Sequence, residues 1–215
     1  GKKLHSLILR KGILLGRHAV LGSMLIDMYF KFGLVAEAQK VFDSLLARDV
    51  VTWTALIAGY AQHGYSEEAL SYFEGMQLEG FSPNEATFVS ILKVCGNMGL
   101  LELGEEIHEE VNRRGLLQTD VVLGTALVDM YAKCGLRRKA LGMFNEIPVP
   151  NLASWTALMA GYAQFGEAQM VSVLFRQLTV QGVLPDSVTF LVLLSACSHR
   201  GLLDEGQMIF NDMCS

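Results

Sequence analysis

The sequence predicts an all-α protein, a right-handed α-solenoid of stacked helix–turn–helix repeats. Three observations carry that expectation. The chain matches itself when slid by 102 residues, and self-similarity at a fixed offset marks repeat architectures. Its apolar residues recur at the i, i+3, i+4, i+7 spacing of a helix face. No stretch sustains the period-2 alternation of a half-buried strand.

The self-match runs through the whole chain. Residues 53–64, WTALIAGYAQHG, meet 155–166, WTALMAGYAQFG. Residues 26–33, IDMYFKFG, meet 128–135, VDMYAKCG, and 99–104, GLLELG, meet 201–206, GLLDEG. Phe42 meets Phe144, Phe73 meets Phe175, Pro83 meets Pro185 and Cys95 meets Cys197.

Each 102-residue period divides into helix pairs. Residues 1–18 read as the tail of a repeat, chiefly its second helix. Residues 19–49 make a 31-residue unit, 50–84 a 35-residue unit and 85–120 a 36-residue unit. Residues 121–151, 152–186 and 187–215 restart the series, the last one incomplete. The chain therefore reads as a fragment that begins and ends within a repeat, with no internal domain boundary. In 50–84 the first helix presents Trp53, Leu56, Ile57 and Tyr60, and the second Ala69, Tyr72, Phe73 and Met76. Gly80 and Pro83 close that unit. In 121–151 the first stripe is Leu127, Met130, Tyr131 and Cys134, stopped by Gly135. The second is Ala140, Leu141, Phe144 and Ile147, ended by Pro148 and Pro150. One helix pair cannot bury its apolar face alone, so neighbours must stack. A concave surface lined by first helices is expected, with terminal half-repeats frayed for want of a neighbour.

Composition removes several classes. The 215 residues are 51% hydrophobic and 18% charged, against about 25% charged in ordinary domains. A disordered chain would show the reverse balance. A net charge of −5 counts against nucleic-acid binding unless positive charge is local. The cysteines, Cys95, Cys134, Cys197 and Cys214, have no C-x-x-C spacing. They read as reduced, packed thiols of an intracellular protein rather than a disulfide framework or a metal centre. No apolar run reaches the ~20 residues of a membrane span. The opening GKKLHSLILRKG has no cleavage site and matches an internal segment, so it does not read as a targeting peptide. The histidines His5, His18, His63, His108 and His199 form no nucleophile–base–orienter set. No catalytic residue, metal site, cofactor or small-molecule substrate is expected.

Two helical-repeat families are similar in length. Tetratricopeptide repeats begin W-x2-L-G-x2-Y, with A-x3-F later. Trp53, Leu56, Tyr60, Ala69 and Phe73 fit that pattern, but Ile57 stands where it wants Gly. The phrases VVTWTALIAGYAQHGYSEEALSYFEGMQLEGFSPN and VVLGTALVDMYAKCGLRRKALGMFNEIPVPN resemble pentatricopeptide repeats instead. The alternating lengths resemble the P-L-S subclass of plant organelle proteins. By that resemblance 50–84 and 152–186 are P motifs, 85–120 and 187–215 are L motifs, and 19–49 and 121–151 are S motifs. Residues 1–18 are then a partial L motif.

The resemblance implies a reader of single-stranded RNA at about one base per repeat. It implies that the fifth and last residues of each repeat face the base edge. These are Ser23 with Asp49, Thr54 with Asn84, Val89 with Asp120, Thr125 with Asn151, and Thr156 with Asp186. The incomplete repeat offers Leu191. The second residues, Val20, Val51, Ala86, Val122, Ala153 and Val188, would sandwich bases. The thirteenth residues, Lys31, Gln62, Asn97, Lys133, Gln164 and His199, would approach phosphates, with Lys31 and Lys133 supplying charge. The acids Glu67, Glu68, Glu105, Glu106, Glu109 and Glu110 fall on second helices.

Thr and Ser hydroxyls donate or accept, Asp only accepts, and Asn does both. Asp thus suits the N–H donors of guanine, and Asn the mixed edge of adenine. The implied target is 5′-G-A-N-A-G-3′, with N under the L motif. A local alternative also fits: Thr at a helix start caps it, and Asn or Asp after Pro makes a turn. The aromatics Trp53, Trp155, Tyr60, Tyr162, Phe73 and Phe175 read as core rather than as a stacking platform. Proteins with this resemblance often end in a cytidine deaminase domain, whose zinc signature this chain lacks. The expected role is target recognition in a C-to-U editing factor of mitochondria or chloroplasts, with accessory proteins met through L motifs. A protein-interaction scaffold and an enzyme active by itself remain the alternatives.

Overall fold

A computed structural model describes residues 19–118 and 120–200, with side chains through Ser198. Eleven α-helices occur among the described residues, alternating as first and second helices of the repeats, and no strand occurs there. They run α1 Ala19–Lys31, α2 Val35–Asp43, α3 Val50–Gln62, α4 Ser66–Leu78, α5 Glu85–Met98 and α6 Leu101–Arg113. A short 3₁₀ turn, Leu116–Gln118, precedes α7 Val121–Lys133, α8 Arg137–Glu146, α9 Leu152–Gln164, α10 Ala168–Val180 and α11 Ser187–Arg200. Each first helix thus starts on the first residue of a unit read from the sequence. The expected helix in 1–18 and the end of the incomplete C-terminal repeat from residue 201, with Cys214, lie outside the described residues.

The turns between paired helices are short because a glycine follows the first helices α1, α3, α5, α7 and α9. Gly33 and Gly135, one period apart, take φ of 69° and 81°. Only a residue without a Cβ enters that region at no steric cost. The second helices of three repeats end similarly at Gly80, Gly115 and Gly182.

The chain forms two compact units, residues 1–94 and 95–215, whose border falls inside α5. The sequence showed no such division, since a stack with contacts only between neighbours leaves no linker as a signal. In the first unit α1 packs on α2 and α3, and α3 packs on α4. In the second, α7 packs on α8 and α9, and α9 packs on α10 and α11.

The same contacts recur in both units. Phe42 meets Trp53 edge to face at 4.7 Å between ring centroids, and Phe144 meets Trp155 at 4.6 Å. In the first unit Tyr60 stacks on Tyr72 at 5.4 Å. Gly59 and Gly161 mark close helix approaches: a Cβ there would collide with the Phe30 ring and with Ala132 respectively. Trp53, Leu56, Ile57, Tyr60, Trp155, Leu158, Met159 and Tyr162 are buried, so the aromatic stripes are core. Phe175 is only half-buried, against Phe190, while Leu174 and Leu178 fill that part of the core. Ile147 is buried but not helical. It follows α8 in extended conformation at ψ 118°, because the chain turns toward Pro148 one residue earlier than its periodicity suggests. Cys95 and Cys197 are buried and Cys134 is half-buried. Burial pushes the Cys95 thiol pKa up to about 12, so it packs as an unreactive apolar group.

Candidate nucleic-acid interface

The last residue of every described repeat caps the following first helix. An α-helix leaves its first N–H groups without partners, and a side-chain oxygen just before it satisfies them. Asp49 Oδ1 accepts from Thr52 N–H at 2.8 Å, and Asn84 Oδ1 from Thr87 N–H at 2.9 Å. Asp120 Oδ1 accepts from Val122 and Leu123 N–H at 2.8 and 3.1 Å. Asn151 Oδ1 accepts from Ser154 N–H at 3.0 Å, and Asp186 Oδ1 from Thr189 N–H at 2.8 Å. These bonds hold the Asp186 carboxyl below the usual carboxylate range although it is exposed. The local alternative places the caps on the threonines. The caps are instead the Asn and Asp residues, because the helices begin one residue after them.

The fifth-position hydroxyls lie inside the first turns and bond back to the helix. Thr54 donates to Val50 O at 2.7 Å, Thr125 to Val121 O at 2.8 Å and Thr156 to Leu152 O at 2.8 Å. Ser23 donates to Val20 O at 2.9 Å. Thr54 Oγ1 also lies 3.3 Å from Asn84 Oδ1, so fifth and last residues of that repeat meet directly. Val89 is half-buried and offers no side-chain hydrogen bond, and Leu191 is exposed.

Four further residues belong to this arrangement. Thr52, Thr87, Ser154 and Thr189 are fully buried hydroxyls at the third position of a first helix. Thr87 Oγ1 lies 2.7 Å from Thr54 Oγ1, Ser154 Oγ 2.6 Å from Thr125 Oγ1, and Thr189 Oγ1 3.3 Å from Thr156 Oγ1. Thr87, Ser154 and Thr189 also donate to the capping oxygens of Asn84, Asn151 and Asp186 at 2.9, 3.1 and 2.8 Å. Thr52 differs: it closes a capping box with Asp49, accepting from Asp49 N–H at 3.0 Å. The sequence held a signal for these residues. Hydroxyls recur one period apart, Thr52 with Ser154 and Thr87 with Thr189, on helix starts that are largely apolar.

Beside each cap the second-position residue points into solvent. Val20, Val51, Val122 and Val188 are 70%, 54%, 59% and 52% exposed. Ala86 and Ala153 are exposed as well. Within each unit, exposed small apolar side chains next to polar pairs can receive flat rings at their faces while the polar atoms meet ring edges.

The two candidate phosphate-proximal lysines are not free cations. Lys31 pairs with Asp27 and Lys133 with Asp129, each at 2.7 Å. Lys133 also donates to Asn97 Oδ1 at 3.2 Å. The i,i+4 spacing brings each pair together. Their local charge is therefore neutralised, so a phosphate must compete with an aspartate for each lysine. Gln62, Asn97 and Gln164 are exposed, while the His199 side chain lies outside the described residues. The second unit also holds a cavity of about 440 Å³ lined by Glu105, His108, Glu109, Tyr131, Lys139 and Glu146. Burial lowers the His108 pKa, and its Nδ1 lies 2.8 Å from the Tyr131 hydroxyl. The three carboxylates of this cavity disfavour an anionic ligand. Among the described residues no helix is long and apolar enough to cross a membrane, and no His, Cys, Asp or Glu cluster could hold a metal ion.

Comparison with known proteins accounts for this regularity. The PPR repeat family model matches residues 48–97 and 150–199. The PPR repeat model matches 23–50, 86–116, 125–149 and 188–215. A pentatricopeptide repeat-containing protein of Arabidopsis thaliana, named as mitochondrial, is 42% identical over 99% of this chain and 34% of its own length. Another from the same plant, named as chloroplastic, is 38% identical over 99% of this chain and 26% of its own. The chain thus spans about a third of the length of the curated relatives it matches. The crystal structure of the pentatricopeptide repeat protein PPR10 in complex with an 18-nt psaJ RNA element is similar in fold. Its TM-score is 0.72 at 18% identity, over 90% of this chain and 31% of that one. Helix pairs of this length, repeated in this register and matched along the array, make the chain a member of the pentatricopeptide repeat family.

Proposed function

We propose that the chain binds single-stranded RNA in a sequence-specific way, about one base per repeat, in the order 5′-G-A-N-A-G-3′. The observation that carries this reading is the recurrence of one arrangement. The fifth-position hydroxyl meets the last-position residue directly in Thr54–Asn84 and through a buried third-position hydroxyl in Thr125–Ser154–Asn151 and Thr156–Thr189–Asp186, each beside an exposed small apolar residue. In this reading Ser23 with Asp49 and Thr156 with Asp186 meet guanine, while Thr54 with Asn84 and Thr125 with Asn151 meet adenine. Val89 with Asp120 discriminates weakly, because Val89 cannot hydrogen-bond a base edge. The second-position residues, Val20 to Val188, flank the bases. The repeats are proposed as S (19–49, 121–151), P (50–84, 152–186) and L (85–120, 187–215).

The bond pattern supports discrimination by base edge. Each capping oxygen Oδ1 is occupied by helix N–H groups. With Oδ1 engaged, the atoms left to meet a base are the Nδ2 donors of Asn84 and Asn151 and the Oδ2 acceptor of Asp186. A Watson–Crick edge that mixes donor and acceptor suits the first two, and one with two donors suits the third. That a relative in fold was crystallised with an RNA element is in keeping with the class of ligand. Relatives named as mitochondrial and chloroplastic make an organelle the proposed location. The proposed role in the whole protein is the target-recognition part of a C-to-U editing factor. The deamination chemistry would come from other parts of that protein, and accessory proteins would dock through the L repeats, where Leu191 is exposed.

The test is binding to a fluorescent single-stranded RNA containing GAUAG, against a scrambled RNA and the matching DNA, at two salt concentrations. Preference for GAUAG over both competitors is expected. The salt dependence should be shallow, since few phosphates are neutralised when Lys31 and Lys133 already pair with aspartates. Folded protein that binds a peptide surface but none of the nucleic acids would favour the scaffold alternative.

A further inference from the structure

The buried third-position hydroxyls have no place in the proposed reading, which rests on fifth and last residues. We infer that Thr87, Ser154 and Thr189 are positioning residues that set the hydrogen-bond polarity of the base-reading pair in the preceding repeat. This inference rests on the base-reading assignment above.

A hydroxyl has one donor and two acceptor sites. Thr87 donates to Asn84 Oδ1 at 2.9 Å, adding to the backbone N–H already bound there. With two donors on Oδ1, the amide cannot rotate by half a turn without facing two donors with its own NH₂. The amide orientation is therefore locked, and Nδ2 is the atom presented outward. Thr54 has three acceptors for its single proton within this cluster, Val50 O and Thr87 Oγ1 at 2.7 Å and Asn84 Oδ1 at 3.3 Å. What Thr54 then presents outward is an acceptor. The pair thus shows one acceptor and one donor in fixed places. Ser154 does the same for Thr125 and Asn151. Thr189 does it for Thr156 and Asp186, where the outward atoms become two acceptors.

The sequence carries an independent sign of this coupling. Fifth residue and following third residue match in type at each junction. Ser23 is followed by Thr52, Thr54 by Thr87, Thr125 by Ser154 and Thr156 by Thr189. Where the fifth residue is Val89, the following third residue is Leu123. Hydroxyl accompanies hydroxyl, and apolar accompanies apolar. Thr52 caps its own helix, so at the Ser23 junction the match is one of residue type alone; at the other three hydroxyl junctions it comes with a contact between the two hydroxyls.

The test compares Thr87→Val with the unaltered chain on RNAs that carry A or G at the second or fourth base of GAUAG. The unaltered chain should favour adenine at both places by about tenfold. Thr87→Val should bring the second-base ratio to within about twofold and leave the fourth-base ratio unchanged, while Thr87→Ser should retain the preference. A purely structural role would lower the melting temperature and weaken all four RNAs alike, with the ratio intact. Ser154→Ala is the mirror experiment, moving only the fourth-base ratio, and serves if Thr87→Val does not fold. Folded variants that keep both ratios overturn the positioning role and leave the base assignment standing. An unaltered chain that binds RNA without either preference overturns the base assignment, and the positioning role with it.

Discussion

Asn84→Asp should move the second-base preference of the chain from adenine to guanine, and Thr54→Asn combined with Asn84→Asp should move it to uracil. Residue 84 uses Oδ1 to cap α5, and Asn and Asp cap helices about equally well. The single change therefore leaves the fold alone and replaces one outward atom, an amide donor, by a carboxylate acceptor. Adenine N1 loses its donor and faces a negative oxygen, while guanine N1–H gains an acceptor. In the double variant the new amide at position 54 can donate to a uracil carbonyl, while the new carboxylate at position 84 accepts from N3–H. Each exchange is expected to be worth on the order of 1–3 kcal/mol between matched and mismatched base. Competition binding with the four second-base variants of GAUAG measures it. An unchanged order of preference in both variants would show that residues 54 and 84 do not face the base.

Trp155→Ala should destabilise the second unit by about 3–5 kcal/mol, the range for deleting a large buried aromatic. Trp155 is 2% exposed and packs edge to face on Phe144. Its indole nitrogen is buried without a hydrogen-bond partner, so the loss is one of packing and burial. Denaturant unfolding of the chain and the variant measures the change. A loss below about 1 kcal/mol would mean that this site collapses freely around the cavity. Because α9 also carries Thr156 and Ser154, the variant should lose binding at the fourth and fifth bases as the unit loosens.

Much of the fold is legible because repetition is a strong signal. The match of WTALIAGYAQHG with WTALMAGYAQFG places α3 and α9 in one register. The periodicity then names their buried faces. Ile147 reads as helical because its apolar side chain does lie in the core, and spacing cannot distinguish a last helical residue from an extended one after it. The pairing of Lys31 with Asp27 and of Lys133 with Asp129 is open to view as i,i+4 charges. Comparing thirteenth positions only with one another, and not with their own helix, hides it. The division inside α5 leaves no trace in composition. The buried hydroxyls Thr52, Thr87, Ser154 and Thr189 are hidden for a different reason. A polar residue in a helix start reads as a local cap, and only the structure shows that three of them reach a hydroxyl 29 or 33 residues earlier.

Ordered reading of bases by successive repeats is tested by the affinity of the chain for GAUAG and for five RNAs that each change one base. Weaker binding is expected for changes at the first, second, fourth and fifth bases, and no change at the third, under Val89 and Asp120. Equal affinity for all six RNAs, or a loss confined to the third base, would contradict it.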